Sequence, residues 1–146
     1  MDETTITKVI SVSTDESGKR IFVKTNDGSF SFLEGAENKE SILKFVNKSI
    51  NRNEDIAITF DEKEKVIKSC FWPMRDLVVS IVQKPKEKEL MIVTLQMRPS
   101  YVLISKRKKN YEELFSLLQS SMKEKKWLLL AIKPLALTIE AAIQSE

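Results

Sequence analysis

An internal repeat constrains the fold of this chain more than any other feature of its sequence. Placing each residue over the one 72 positions later sets NKESILKFVNKSI (38–50) on NYEELFSLLQSSM (110–122), two segments with helical periodicity. The same offset sets the strand-like DIAITF (55–60) on WLLLAI (127–132). No gap is needed in this alignment. We therefore predict a duplication, with a first repeat at 1–73 and a second at 74–146.

Each repeat predicts the same order of elements. Period-two alternation of apolar residues, turn signals and one helical stripe predict the following elements in the first repeat: strands Ile6–Thr14, Lys19–Thr25 and Ser29–Leu33, helix Lys39–Asn51, and strands Asp55–Asp61 and Lys65–Phe71. The second repeat gives strands Leu77–Lys84, Glu89–Met97 and Tyr101–Lys106, helix Tyr111–Lys123, and strands Lys126–Lys133 and Leu137–Ile143. The predicted fold class is mainly β with two helices, built from duplicated strand-strand-strand-helix-strand-strand units.

This element order resembles that of the OB-fold, a five-stranded, partly open Greek-key barrel with a helix between strands three and four. The order is most similar to that of the compact OB domains of bacterial toxin B-subunits, where a helix of similar length precedes a short final hairpin. The resemblance implies two OB-like small barrels, the second packed closely on the first or on a partner subunit. The structural alternative is one α+β domain in which both repeats share a continuous sheet.

The two repeats differ in how polar their strands are. In the first repeat, Ile21 and Val23 alternate with Arg20 and Lys24, and only Phe22 breaks the pattern. In the second repeat, the segments at 90–97 and 127–132 are apolar on both faces, and such strands must be covered on both. This pattern predicts a homo-oligomer or a protein partner. The interface residues that we predict are Leu90, Ile92, Trp127 and Leu129, together with Phe71 and Trp72 at the joint between repeats.

A run of four cations suggests an alternative function. The run lies between a predicted strand and the second predicted helix, and it consists of Lys106, Arg107, Lys108 and Lys109. OB barrels commonly bind single-stranded nucleic acid through loops and aromatic residues. Tyr101 and Phe22 are the candidate stacking residues for such a site. The formal charge is −2 for the first repeat and +5 for the second, and neither reaches the charge density of a typical nucleic-acid binder. Glycan or peptide binding of the toxin B-subunit type is a second alternative.

The composition argues against catalysis. The chain has no His, one Cys and three Gly in separate turns, so it lacks the commonest general base, a thiolate metal cage and a phosphate-binding loop. We expect no enzyme activity, cofactor or metal, and a non-catalytic binding or assembly module that is oligomeric through its second repeat. The N-terminus shows no signal pattern and no apolar stretch is long enough to span a membrane, which favours a cytoplasmic protein. An exported form with a trimmed signal is the alternative.

Overall fold

The computed structural model describes residues 1–145 and divides into two compact units. The first unit is Met1–Pro73 and the second begins at Met74. Each unit contains one helix, and the remaining elements are β-strands. The predicted fold class, mainly β with two helices and the same element order in each unit, is confirmed.

The first unit contains six strands and one helix. Its elements are β1 (Asp2–Thr7), β2 (Val9–Thr14), β3 (Arg20–Thr25), β4 (Gly28–Leu33), α1 (Lys39–Arg52), β5 (Ile56–Asp61) and β6 (Ile67–Phe71). The single strand predicted over Ile6–Thr14 is therefore two strands that meet at Lys8. They join different sheets, because β1 pairs with β5 whereas β2 pairs with β3.

The sheets of the first unit close into a small barrel. One sheet has the order β1-β5-β6, the other has the order β2-β3-β4, and the pairing within each is antiparallel. A parallel bridge between Ser31 and Val66 connects β4 to the start of β6. Because β2 continues from β1 after one residue, the strands form a closed circuit around one core.

The core of the first unit follows from the strand alternation. Ile21 and Val23 point inward from β3 and join Phe32 of β4 in one buried cluster. The helix contributes Ile42 and Val46, which are four residues apart and therefore lie on one helical face. The apolar stripe of α1 thus packs against the inside of the barrel, with Leu43 and Phe45 partly buried at its margins.

The second unit repeats this arrangement in one continuous sheet. Its elements are β7 (Met74–Asp76), β8 (Val78–Gln83), β9 (Leu90–Leu95), β10 (Val102–Ser105), α2 (Tyr111–Glu124), β11 (Leu128–Lys133) and β12 (Thr138–Gln144). The sheet order is β7-β11-β12-β10-β9-β8, with β10 and β12 parallel. The two end strands, β7 and β8, are separated only by Leu77, so this sheet also closes on itself.

The offset between the units is constant only over part of the chain. The helices Lys39–Arg52 and Tyr111–Glu124 are 72 residues apart, as are β5 and β11. The first hairpins depart from this spacing, because Val9 bonds to Ser49 just as Val78 bonds to Ser121, which makes positions 69 apart equivalent. The gapless alignment is therefore wrong for the first strands. The physical reason is that the strand-connecting loops of the two units differ in length.

Candidate binding surfaces

The basic cluster Lys106–Lys109 lies in the loop between β10 and α2, where its side chains have polar neighbours. Lys106 donates a hydrogen bond from Nζ to Oε1 of Gln83 at 2.6 Å. Arg107 pairs with Glu89, and Lys108 pairs with the half-buried Glu140 at 2.7 Å. Arg107 and Lys108 therefore each have a carboxylate partner within the unit. This pairing weakens the attraction that the cluster would exert on a phosphate backbone.

A cleft of about 500 Å³ opens beside this cluster. It is lined by Glu87, Lys88, Glu89, Leu90, Ser105 and Arg107. The lining carries two carboxylates and two cations, so its formal charges balance.

The outward side of β8, β9 and β10 is apolar, and we call it the apolar face. Strand register places Val82, Ile92 and Leu103 side by side across the three strands. Val82 is 52% exposed, whereas Ile92 and Leu103 are half-buried. Leu90 extends the same face along β9, and Tyr101 flanks it just before β10. On the opposite side of β9, Val93 and Leu95 belong to the core, so this strand is apolar on both faces.

The outward side of β2, β3 and β4 in the first unit is polar around one aromatic ring, and we call it the Phe22 face. Phe22 is 40% exposed and lies between Ser13 and Ser31 in the strand register. Arg20 and Lys24 occupy the neighbouring outward positions of β3, and Arg20 Nη1 donates to Ser31 Oγ at 2.9 Å. Within β2–β4 no outward position carries an acidic side chain. This face therefore combines an exposed ring with two basic side chains.

Trp127 and Leu129 lie away from the apolar face, around β11. Trp127 immediately precedes the strand, and the guanidinium of Arg75 lies 4.2 Å from the centre of its ring. Arg75 Nε also donates to Ser145 Oγ at 3.2 Å. Leu129 is half-buried between Arg75 and Ile143 in the strand register. The predicted interface residues of the second unit thus fall into two groups, Leu90 with Ile92 and Trp127 with Leu129.

Phe71 and Trp72 lie at the end of the first unit. Phe71 closes β6 opposite Ala57, and it is half-buried. The ring of Trp72 packs against Phe45 of α1 at a centroid distance of 5.0 Å, and Lys48 Nζ lies 5.9 Å from its centre. Trp72 thus has contacts within its own unit, although part of the ring stays accessible.

The single thiol is not suited to nucleophilic chemistry. Cys70 is buried in β6, and burial raises the pKa of its thiol from 9.0 to about 12. The thiolate, which is the reactive form, is therefore scarcely populated near neutral pH. Among residues 1–145 no cluster of three or more His, Cys, Asp or Glu side chains could hold a metal ion. No helix in this part of the chain has the length and apolar character needed to cross a bilayer.

One exposed feature escaped the sequence reasoning, namely the turn between β11 and β12. We call Pro134–Leu137 the apolar turn. Leu135 is fully exposed at its tip and Leu137 is 42% exposed. Both have positive φ, 71° and 55°, in a conformation that L-residues with large side chains seldom adopt. The sequence signal was available, because three apolar residues follow a proline where a polar turn is usual.

No family model, curated protein or solved structure matches this chain.

Proposed function

We propose that the chain is a non-catalytic assembly module that associates with a second copy of itself through the apolar face. The observation that carries this proposal is the row Val82, Ile92 and Leu103 on the outward side of β8–β10. The strand order agrees with an OB-type barrel, in which this part of the sheet is the usual site of ligand contact. A two-fold contact between identical faces would place apolar side chains of one copy on those of the other.

The energetics support a stable association. Burying one Val, Leu or Ile side chain contributes about 1.5–3 kcal/mol, and Val82, Ile92 and Leu103 together with Leu90 are partly exposed. Tyr101 at the margin adds an aromatic body with a hydroxyl that can stay in water. The equivalent row of the first unit is Ser13, Phe22 and Ser31, so the barrel does not require apolar residues at the positions of Val82 and Leu103.

Sedimentation velocity across a range of protein concentrations tests this proposal. We expect the wild-type protein to dimerise, and we expect Val82→Ser combined with Leu103→Ser to weaken association by at least about tenfold. Ile10→Ser is the matched control, because Ile10 is an exposed apolar residue on β2 of the first unit. A wild-type protein that remains monomeric at tens of micromolar would contradict the proposal, as would a double variant that associates like the wild type.

A second candidate function is binding of single-stranded nucleic acid on the Phe22 face. The supporting observation is the exposed Phe22 ring between Arg20 and Lys24, without a neighbouring carboxylate on β2–β4. Stacking of a base on an aromatic side chain contributes about 1–3 kcal/mol, and the cations would contact phosphates. This arrangement differs from the predicted site at Lys106–Lys109, where neighbouring carboxylates compete for two of the charges.

Fluorescence anisotropy with a labelled oligothymidylate at low salt tests this candidate. We expect Phe22→Ala to weaken binding about tenfold, Phe22→Trp to preserve it, and added salt to reduce it steeply. Lys106→Gln combined with Lys109→Gln serves as the comparison at the basic cluster, and it should have the smaller effect. The absence of binding at low salt, or full binding by Phe22→Ala, would eliminate the Phe22 face as a nucleic-acid site.

A further inference from the structure

The apolar turn has a counterpart in the first unit with the same backbone hydrogen bonds. Leu137 N–H donates to the carbonyl of Lys133 at 3.0 Å, and Lys65 N–H donates to the carbonyl of Asp61 at 2.9 Å. The carbonyl of Leu137 accepts from Leu103 N–H, just as that of Lys65 accepts from Ser31 N–H. Leu137 and Lys65 also share a positive φ. The two turns are therefore anchored alike to the neighbouring strand, although Leu135 at the tip has a positive φ and Lys63 at the equivalent position does not.

The side chains on these two turns are opposite in character. The first unit carries Glu62-Lys63-Glu64-Lys65, whereas the second carries Pro134-Leu135-Ala136-Leu137. Charged residues can therefore form a turn with this anchoring, as the first unit shows. A leucine that is fully exposed at the tip, with a φ of 71°, is unfavourable both in solvation and in backbone conformation. Folding of the unit does not explain its presence, and a binding role does.

The surroundings of the apolar turn are apolar and basic. Strands β10 and β12 run parallel and pair at Leu103 and Thr138, so the loops that precede them lie at the same end of the barrel. The loop before β10, residues 96–101, ends in Tyr101, which is half exposed, and it contains Arg98. Lys133 is exposed at the foot of the apolar turn. Neither loop contains an acidic residue of its own, and the Asp76 carboxylate, which accepts a hydrogen bond from Met97 N–H, is buried. The accessible charges of the two loops are therefore positive, which suits an anionic surface.

We infer that the apolar turn is a peripheral membrane-binding element, which inserts Leu135 and Leu137 into the interface of an anionic lipid bilayer. The size of the element supports this assignment over a protein partner. A specific protein complex buries about 800 Å² on each side, which a four-residue turn cannot supply. Reversible membrane binding needs only a few apolar side chains together with nearby cations. Tyr101 suits the headgroup region, where amphipathic rings concentrate.

Vesicle co-sedimentation with full-length protein tests this inference. We expect the wild-type protein to bind vesicles of phosphatidylcholine with phosphatidylserine more strongly than pure phosphatidylcholine vesicles, and to be released by salt. Leu135→Asn should reduce the partition coefficient about tenfold or more, because it removes the most exposed apolar side chain. Its thermal stability should be unchanged or raised, because Asn tolerates positive φ better than Leu. Lys63→Asn, at the equivalent position of the first unit, is the matched control and should leave vesicle binding unchanged.

The outcomes separate this inference from the proposed dimer. If the wild-type protein stays in the supernatant, or if Leu135→Asn binds as well as the wild type, the inference is wrong. The inference would also be overturned if Leu135→Asn abolished self-association and the protein did not bind vesicles. That result would assign the apolar turn to a protein contact. Vesicle binding that survives the change of Val82 and Leu103 to serine shows that the turn acts independently of the apolar face.

Discussion

Replacing Ser49 by alanine would remove a hydroxyl that connects α1 to two other segments of the first unit. Its Oγ accepts a hydrogen bond from Val9 N–H at 3.0 Å and donates one to the carbonyl of Glu54 at 2.6 Å. Ser49 has no exposed surface and Val9 is buried, so the N–H of Val9 would lose its acceptor in a dry environment. An unsatisfied buried donor costs about 1–3 kcal/mol, and the lost bond to the exposed Glu54 adds about 1 kcal/mol. Alanine offsets about 0.5 kcal/mol through its higher helix propensity. We expect the free energy of unfolding to fall by about 2 kcal/mol.

Ser121 makes the equivalent pair of bonds in the second unit. Its Oγ accepts from Val78 N–H at 3.1 Å and donates to the carbonyl of Lys126 at 2.7 Å. We therefore expect Ser121→Ala to lower the free energy of unfolding by a similar amount. Urea titrations followed by tryptophan fluorescence measure both effects. Each unit contains one tryptophan, Trp72 or Trp127, so replacing the other by phenylalanine makes the signal specific to one unit.

Two exposed serines on the same helices provide matched controls. Ser41 lies on α1 and Ser116 on α2, and both point to solvent. Alanine at either position should leave the stability unchanged or raise it by about 0.5 kcal/mol, through helix propensity alone. If Ser49→Ala and Ser121→Ala also change the free energy of unfolding by less than about 0.5 kcal/mol, these hydroxyls do not stabilise the units as the geometry indicates and the reasoning is refuted.

Two further predictions concern buried groups. The thiol of Cys70 has its pKa raised from 9.0 to about 12 by burial, so its contribution to stability is complete below pH 9 and is lost as the pH rises toward 12. In urea titrations between pH 7 and 11, the free energy of unfolding of the wild-type protein should fall by an extra amount of about 1.4 kcal/mol per pH unit above pH 9. The Cys70→Ala variant should lack this extra fall. Equal pH dependence in the two proteins would contradict the raised pKa. The carboxylate of the buried Asp76 accepts hydrogen bonds from Leu77 N–H at 2.7 Å and Met97 N–H at 2.9 Å. Asp76→Ala should therefore lower the free energy of unfolding by about 2 kcal/mol, and Asp76→Asn, which keeps one acceptor, should lower it less.

The secondary structure was predictable where local pattern determines it. The predicted helix Lys39–Asn51 became Lys39–Arg52, because apolar residues at helical spacing mark the buried stripe. The break at Lys8 was not predicted, nor was the short strand β7 (Met74–Asp76), which lies before the predicted strand Leu77–Lys84. For the break at Lys8 the reason is physical. A strand that bends from one sheet into another keeps its extended backbone and its period-two alternation, so no residue at the bend differs from its neighbours in kind.

The candidate sites were harder to predict, because they depend on distant partners. The sequence indicates a basic patch at Lys106–Lys109. In the structure, Lys108 is hydrogen-bonded to Glu140, 32 residues later, and Lys106 is hydrogen-bonded to Gln83, 23 residues earlier. The sequence shows the charge of this segment, but it does not show which charged side chains the fold brings close to it. Ser49 was missed for a similar reason, since a serine near the end of a helix is ordinarily exposed and only the fold places it under β2.

Comparing the two units distinguishes the features that belong to the barrel from the residues that differ only on its surface. Both use a buried helix serine against the second strand, a helix end in the left-handed conformation at Asn53 or Lys125, and the same turn before the last strand. These features are common to both units and belong to their shared fold. Where equivalent positions differ, as Lys63 and Leu135 do, the barrel itself accepts either residue. In line with the proposed function, we attribute the exposed apolar residues of the second unit to binding rather than to folding. Exchanging such positions between the units would isolate that contribution with little change in the core.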